Sequence, residues 1–67
     1  MKIAVVAANG RVGRLVVKEA VDRGEDVTAI VRGENKTCAQ HVIQKDIMDL
    51  TTDDLKDFDV VVDAFGT

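Results

Sequence analysis

The residues of this chain that could do chemistry sit mainly in one short run, Ala7-Ala8-Asn9-Gly10-Arg11-Val12-Gly13. Between a strand and a helix, such a run aims backbone N–H groups and the positive end of a helix dipole at a phosphate. Gly10 would let the backbone come close to a pyrophosphate, and Gly13 would let the helix pack tightly against the strand. Ala7 stands at the first glycine of a G-x-x-G-x-x-G pattern, a departure that is tolerable if its φ is negative. Asn9, Arg11 and Val12 complete the turn. The plainer alternative is an ordinary βα turn that happens to hold two glycines.

Arg32 lies 22 positions beyond Gly10, near where a second strand should reach an adenosine ribose. An acidic residue there accepts from a ribose 2′-hydroxyl. An arginine instead suits a 2′-phosphate, which it can grip with two parallel hydrogen bonds. Arg11 could assist from the turn. The expected ligand is therefore NADP. Glu34 keeps NAD open, and a solvated strand-end charge is the bland reading of Arg32. Asp46 could accept from an adenine amino group while Ile47 packs on the ring, although Asp46 equally suits a turn-forming role. Ala64-Phe65-Gly66 would let a cofactor lie over the strand ends, or would simply close the fourth strand.

The elements that must position these residues follow from the hydrophobic pattern. Lys2 to Ala8 reads as a strand covered on both faces. Arg11 to Arg23 reads as an amphipathic helix, with Val12, Leu15, Val16, Ala20 and Val21 at helical spacing. Lys18/Asp22 and Glu19/Arg23 are opposite-charge pairs at i,i+4, and Gly24 stands where a helix should end. Asp26 to Val31 is a second strand. Residues 33–40 are polar, aperiodic and too short for a full crossover helix. His41 to Lys45 and Val60 to Ala64 are further strands. Between them Thr51 or Thr52 caps a short helix through Lys56, with Asp53 and Asp54 in its first turn. Right-handed crossovers then give a parallel sheet in the order 3-2-1-4. The expected fold is α/β: residues 1–67 as the N-terminal half of a Rossmann-type doubly wound sheet, with the catalytic and substrate half absent.

Composition narrows the function classes. The 67 residues carry a net charge of −3 and two aromatics. Residues 1–36 are net +2 and residues 37–67 net −5, so the positive half holds the glycine-rich turn. An acidic chain with no basic stripe is a poor nucleic-acid binder. The first apolar run is too short for a signal peptide or a membrane span. One cysteine and one histidine exclude an internal disulfide and a Cys/His metal cluster. Cys38 and His41 read as surface residues, Met48 as a packing residue, and the spacing of Asp53, Asp54, Asp57 and Asp59 matches no calcium loop. A lone thiol fits a cytoplasmic setting. No residue is a candidate catalytic group. The valine-rich fourth strand would leave an apolar edge, so self-association, or pairing with the rest of the domain, is expected.

The blocks Ala7–Gly13, Val27-Thr28-Ala29-Ile30-Val31-Arg32, Gln44-Lys45-Asp46-Ile47 and Val60-Val61-Val62-Asp63-Ala64-Phe65-Gly66 together resemble the atypical short-chain dehydrogenase/reductases. Within them the chain is most similar to the NADH–flavin reductases of the NmrA-like NAD(P)H-binding group. The resemblance covers the whole chain and implies a much longer parent oxidoreductase, with a flavin as one partner. Ala7 departs from the family's usual glycine. The chain holds no tyrosine, so the Tyr/Lys pair of the classical relatives is not in it. The same group includes redox-sensing regulators, which leaves a non-catalytic NAD(P) sensor as a second reading. An inactive truncated fragment is a third.

Overall fold

The computed structural model describes residues 1–63, with Ile47 described by its backbone alone. Four strands, β1 (Lys2–Val6), β2 (Asp26–Val31), β3 (His41–Gln44) and β4 (Val60–Asp63), form one parallel sheet in the order β3-β2-β1-β4. The register pairs Ile3 with Val27 and Val60, and Thr28 with His41. The strand order is the one that the apolar runs and right-handed crossovers demand. Ala64, Phe65 and Gly66 lie outside the described residues.

Alternation along the strands divides the core between the two faces. Val5, Val27, Ala29 and Val31 face helix α1 (Arg11–Asp22) and pack with Ala8, Val17 and Ala20. Ala4, Val6 and Ile30 face the other way, where Ile43, Leu50, Leu55 and Phe58 cover them. Ile43 belongs to β3, and the other three come from the segment holding a single 3-10 turn (Ile47–Asp49) and a short helix α2 (Thr52–Leu55). Ala39 packs on the α1-side cluster, so the helix-free 33–40 connection contributes to that face of the core.

The buried stripe of α1 differs from the one the sequence pattern predicts. Gly13, Val17 and Ala20 are buried, whereas Val12 is 39% and Leu15 62% exposed. The reason is the close approach at Gly13. It draws the 13/17/20 line onto the sheet and leaves Leu15 on the opposite side of the helix. Val16 and Val21 flank the contact and are partly buried.

The helix ends follow their local signals. Arg23 is the C-cap and Gly24 follows at φ +82°. Gly24 N–H donates to Val21 O at 2.9 Å and Glu25 N–H to Ala20 O at 3.1 Å, the paired bonds of a Schellman motif. Both i,i+4 pairs form: Lys18–Asp22 at 3.3 Å and Glu19–Arg23 at 2.6 Å. At α2, Thr51 is the cap. Its Oγ1 accepts from Asp54 N–H at 3.2 Å, and its own N–H donates to the Asp54 carboxylate at 3.0 Å. This reciprocal capping box uses Asp54 in place of the usual glutamate. Lys56 is the C-cap of this helix.

Candidate functional site

The glycine-rich turn lies at the C-terminal end of the sheet, where open α/β sheets bind ligands. β1 ends at Val6, two residues short of the Ala8 boundary expected from the apolar run. The chain then turns sharply, and the Ile30 carbonyl of β2 accepts from both Ala7 N–H (3.0 Å) and Ala8 N–H (3.3 Å). Gly10 N–H returns to the Ala7 carbonyl at 3.2 Å. The turn is thereby fixed to the two central strands.

Ala7 adopts φ +60°. The condition under which an alanine would be readily tolerated here, a negative φ, is therefore not met. The left-handed conformation is imposed by the bonds on both sides of the residue: its N–H is held by β2 and its carbonyl by Gly10. A glycine is the residue such a position favours.

Gly13 and Gly10 are needed for different reasons. A Cβ at Gly13 would stand 2.7 Å from both the Ala7 carbonyl oxygen and the Ala8 Cα, and 2.9 Å from the Ala8 carbonyl oxygen. These are backbone atoms that cannot move aside, so position 13 must be glycine for α1 to pack as it does. At Gly10 the nearest such atom is the Ala7 oxygen at an ordinary 3.5 Å, and φ is −68°. Nothing in the chain itself demands glycine at position 10. An approaching ligand would, because a side chain there would project from the exposed face of the turn.

The start of α1 suits an anion. Gly10 is its N-cap, no side chain caps it, and its first turn holds no acidic residue. Its leading N–H groups and its dipole are therefore uncompensated by the protein. Lys18, Arg23, Lys45 and Lys56 are in ion pairs. Arg11, Arg14, Arg32 and Lys36 have no carboxylate partner among the described residues. All four lie on the turn, on the first helical turn or directly after β2. Lys2, at the start of β1, is the one other cation without an ion pair among the described residues, so four of the five unpaired cations lie toward the end of the sheet where the turn is.

The other sequence candidates are placed as follows. Arg32 follows β2 directly and is exposed. Val12 is exposed on the first turn of α1. Asp46 is half-buried just beyond β3. Its Oδ1 accepts from Met48 N–H at 3.0 Å and its carbonyl from Asp49 N–H at 2.9 Å, so one carboxylate oxygen serves the turn-forming role. The Ile47 side chain and Ala64-Phe65-Gly66 lie outside the described residues. The role of Asn9 is one the sequence reasoning missed: both ends of its side-chain amide bond the loop after β2, to Glu34 and Lys36. The only signal was that asparagine can donate and accept at once.

The profile of the NAD(P)H-binding family matches residues 7–67, from the turn onward. This chain belongs to that family. The matched stretch includes the turn between β1 and α1. The Bacillus subtilis protein YwnB, itself uncharacterised, is 48% identical over 98% of this chain. A Streptococcus pneumoniae structure, described as a candidate NADH-flavin reductase, superposes over the full chain with a TM-score of 0.96 and 58% identity. A Listeria monocytogenes structure does so over 96% of the chain, with a TM-score of 0.88 and 48% identity. This chain spans 32% of the Bacillus and Streptococcus proteins and 40% of the Listeria protein. Among the described residues, no helix is long and apolar enough to cross a membrane.

Proposed function

We propose that this NAD(P)H-binding chain holds the ADP-ribose half of NADPH, as part of the nicotinamide-dependent reduction of a flavin. The observation that carries the cofactor choice is Arg32, an exposed guanidinium directly after β2 with no carboxylate partner among the described residues. The residues fit the cofactor: the uncapped start of α1 meets the pyrophosphate, and Gly10 leaves room for it. Ala7 and Gly13 set the shape of the turn, Val12 lines the first turn of the helix, and Arg11 adds positive charge beside the phosphates. Arg32 takes the 2′-phosphate in a charge-assisted pair. Asp46 offers its second carboxylate oxygen to the adenine amino group. The bound nicotinamide supplies a hydride. The acceptor, a flavin, is suggested by the description of the Streptococcus relative. The work of this chain is to bind and orient, in a soluble cytoplasmic protein of the atypical short-chain dehydrogenase/reductase type.

That same description, with NADH in it, favours a second reading in which Glu34 accepts from a free ribose 2′-hydroxyl. Arg32→Asp separates the two. If Arg32 holds a 2′-phosphate, the variant loses about ten- to a hundredfold in NADPH affinity relative to NADH, the size of a lost hydrogen bond to a charged group. Titration calorimetry with both cofactors reads the ratio. An unchanged ratio would hand the role to Glu34 and the preference to NADH.

A further inference from the structure

The amide of Asn9 is engaged with the chain itself. Its Nδ2 donates to the Glu34 carbonyl at 2.7 Å, and its Oδ1 accepts from Lys36 N–H at 2.8 Å. One donor and one acceptor meeting residues i and i+2 is the pattern a neighbouring strand would offer. Asn9 supplies it three residues after β1 has ended. The segment so held, 33–36, has no ladder of its own. From within it, Asn35 Oδ1 accepts from both the N–H and the hydroxyl of Thr37. Before it, the Val31 carbonyl is fixed by Lys45 N–H at 2.9 Å. Arg32 lies between that fixed end of β2 and the stapled segment.

We propose that Asn9 is a positioning residue for cofactor selectivity: it holds the backbone next to Arg32 without itself touching the ribose. The proposal rests on the reading of Arg32 given above. A loop that must be ordered on binding subtracts its ordering cost from affinity, whereas a loop already held does not. Asn9 holds this one before any ligand arrives. The shape of the pyrophosphate turn has separate supports, namely the Ile30 carbonyl and the contact at Gly13. Loss of the Asn9 amide therefore acts on the 2′ side of the ligand more than on the pyrophosphate side.

The test is a double-mutant cycle on the 67-residue chain: Asn9→Ala, Arg32→Ala and both together, titrated with NADPH and with NADH. Asn9→Ala is expected to lower the NADPH:NADH affinity ratio about three- to tenfold, the range of coupling between linked residues. In the double variant the ratio should fall no further than in Arg32→Ala alone. Equal weakening of both cofactors by Asn9→Ala would mean that Asn9 serves only the turn, and overturns the proposal. Multiplying effects in the double variant would mean that Asn9 acts independently of Arg32, and overturn it too. An unchanged ratio in Arg32→Ala removes the reading of Arg32 and this proposal with it. A lowered ratio there without coupling removes the proposal alone. Should Asn9→Ala fail to fold, Lys36→Pro compared with Lys36→Ala deletes the N–H from the other side and leaves the turn sequence intact. A lower ratio in the proline variant supports the staple, and equal ratios overturn it.

Discussion

Gly13 lies so close to Ala7 that a Cβ on Gly13 would stand 2.7 Å from the Ala7 carbonyl oxygen. The contact joins the first turn of α1 to the chain that leaves β1. It sets how near the helix comes to the sheet, and so where its N–H groups point. Gly13→Ala must push the helix outward by several tenths of an ångström. The expected cost is about 1–3 kcal/mol, typical of overpacking a tight contact. Urea denaturation measures the stability loss, and NADPH titration should show weakened binding in the protein that remains folded. Wild-type stability would mean that α1 can shift freely.

Ala7 makes an opposite prediction. At φ +60° an L-residue bears about 1–2 kcal/mol of strain. Glycine relieves it, at an entropic cost of about 0.5–1 kcal/mol. Ala7→Gly should therefore hold or raise the denaturation midpoint, where glycine elsewhere in a strand or helix would lower it. Ala7→Val should lower stability by about 1–3 kcal/mol, because a β-branched residue fits this region worst. A glycine variant clearly less stable than the parent would be incompatible with the left-handed conformation.

The contrast between these two positions shows what the sequence could convey. Gly13 was legible: its spacing from Gly10 after an apolar run implied a close helix–strand contact, and the contact is there. The strand order was legible for the same reason, since four apolar segments with these connections leave few parallel arrangements. The φ of Ala7 was not, because it is forced by a bond from Ile30, a residue 23 positions away. The exposure of Leu15 was hidden for a related reason. Helical periodicity identifies an apolar stripe, but only the contact at Gly13 decides which part of a broad stripe meets the sheet. From the sequence Asn9 reads only as part of the turn. Its bonds to Glu34 and Lys36 depend on the path of an aperiodic loop that no spacing rule describes.

Asp54 gives the fold an acid-sensitive tie. Lys45 Nζ donates to its two carboxylate oxygens at 3.1 and 3.0 Å, and Thr51 N–H donates to it at 3.0 Å. The lysine, first, and then the Thr51 N–H hold the carboxyl below its ordinary value of 3.8. A native value below the unfolded one means that the tie is fully present above about pH 4. It is lost as pH falls from there through the lowered value. Asp54→Asn should flatten this acid limb of the stability curve and leave a constant deficit at neutral pH, because Lys45 loses its charged partner. Thr51→Ala should cost about 1 kcal/mol through loss of the cap. Urea midpoints between pH 2 and pH 7 distinguish the two variants. An acid limb equally steep in Asp54→Asn would place the sensitivity elsewhere.

β4 is bonded to β1 along one side only and forms one end of the sheet. Val60 and Val61, which alternate between the two faces, are 39% and 43% exposed. On the opposite side of β1, by contrast, β2 is buried from Val27 to Val31. Val62 packs partly against the α1-side cluster, but along Val60–Val62 the edge away from β1 meets no other strand among the described residues, so apolar side chains and open backbone groups lie together there. Such an edge pairs readily with another strand. A chain this small also gains proportionately from covering it. The 67-residue chain is accordingly expected to self-associate at micromolar concentration through this strand, with a melting temperature that rises with concentration. Val61→Lys places a charge on the exposed strand and should shift sedimentation toward the monomer. The substitution should cost little in the monomer's own stability, because the side chain is already largely in water. A parent chain that sediments as a monomer at every concentration, with a constant melting temperature, would show that the open edge drives no pairing.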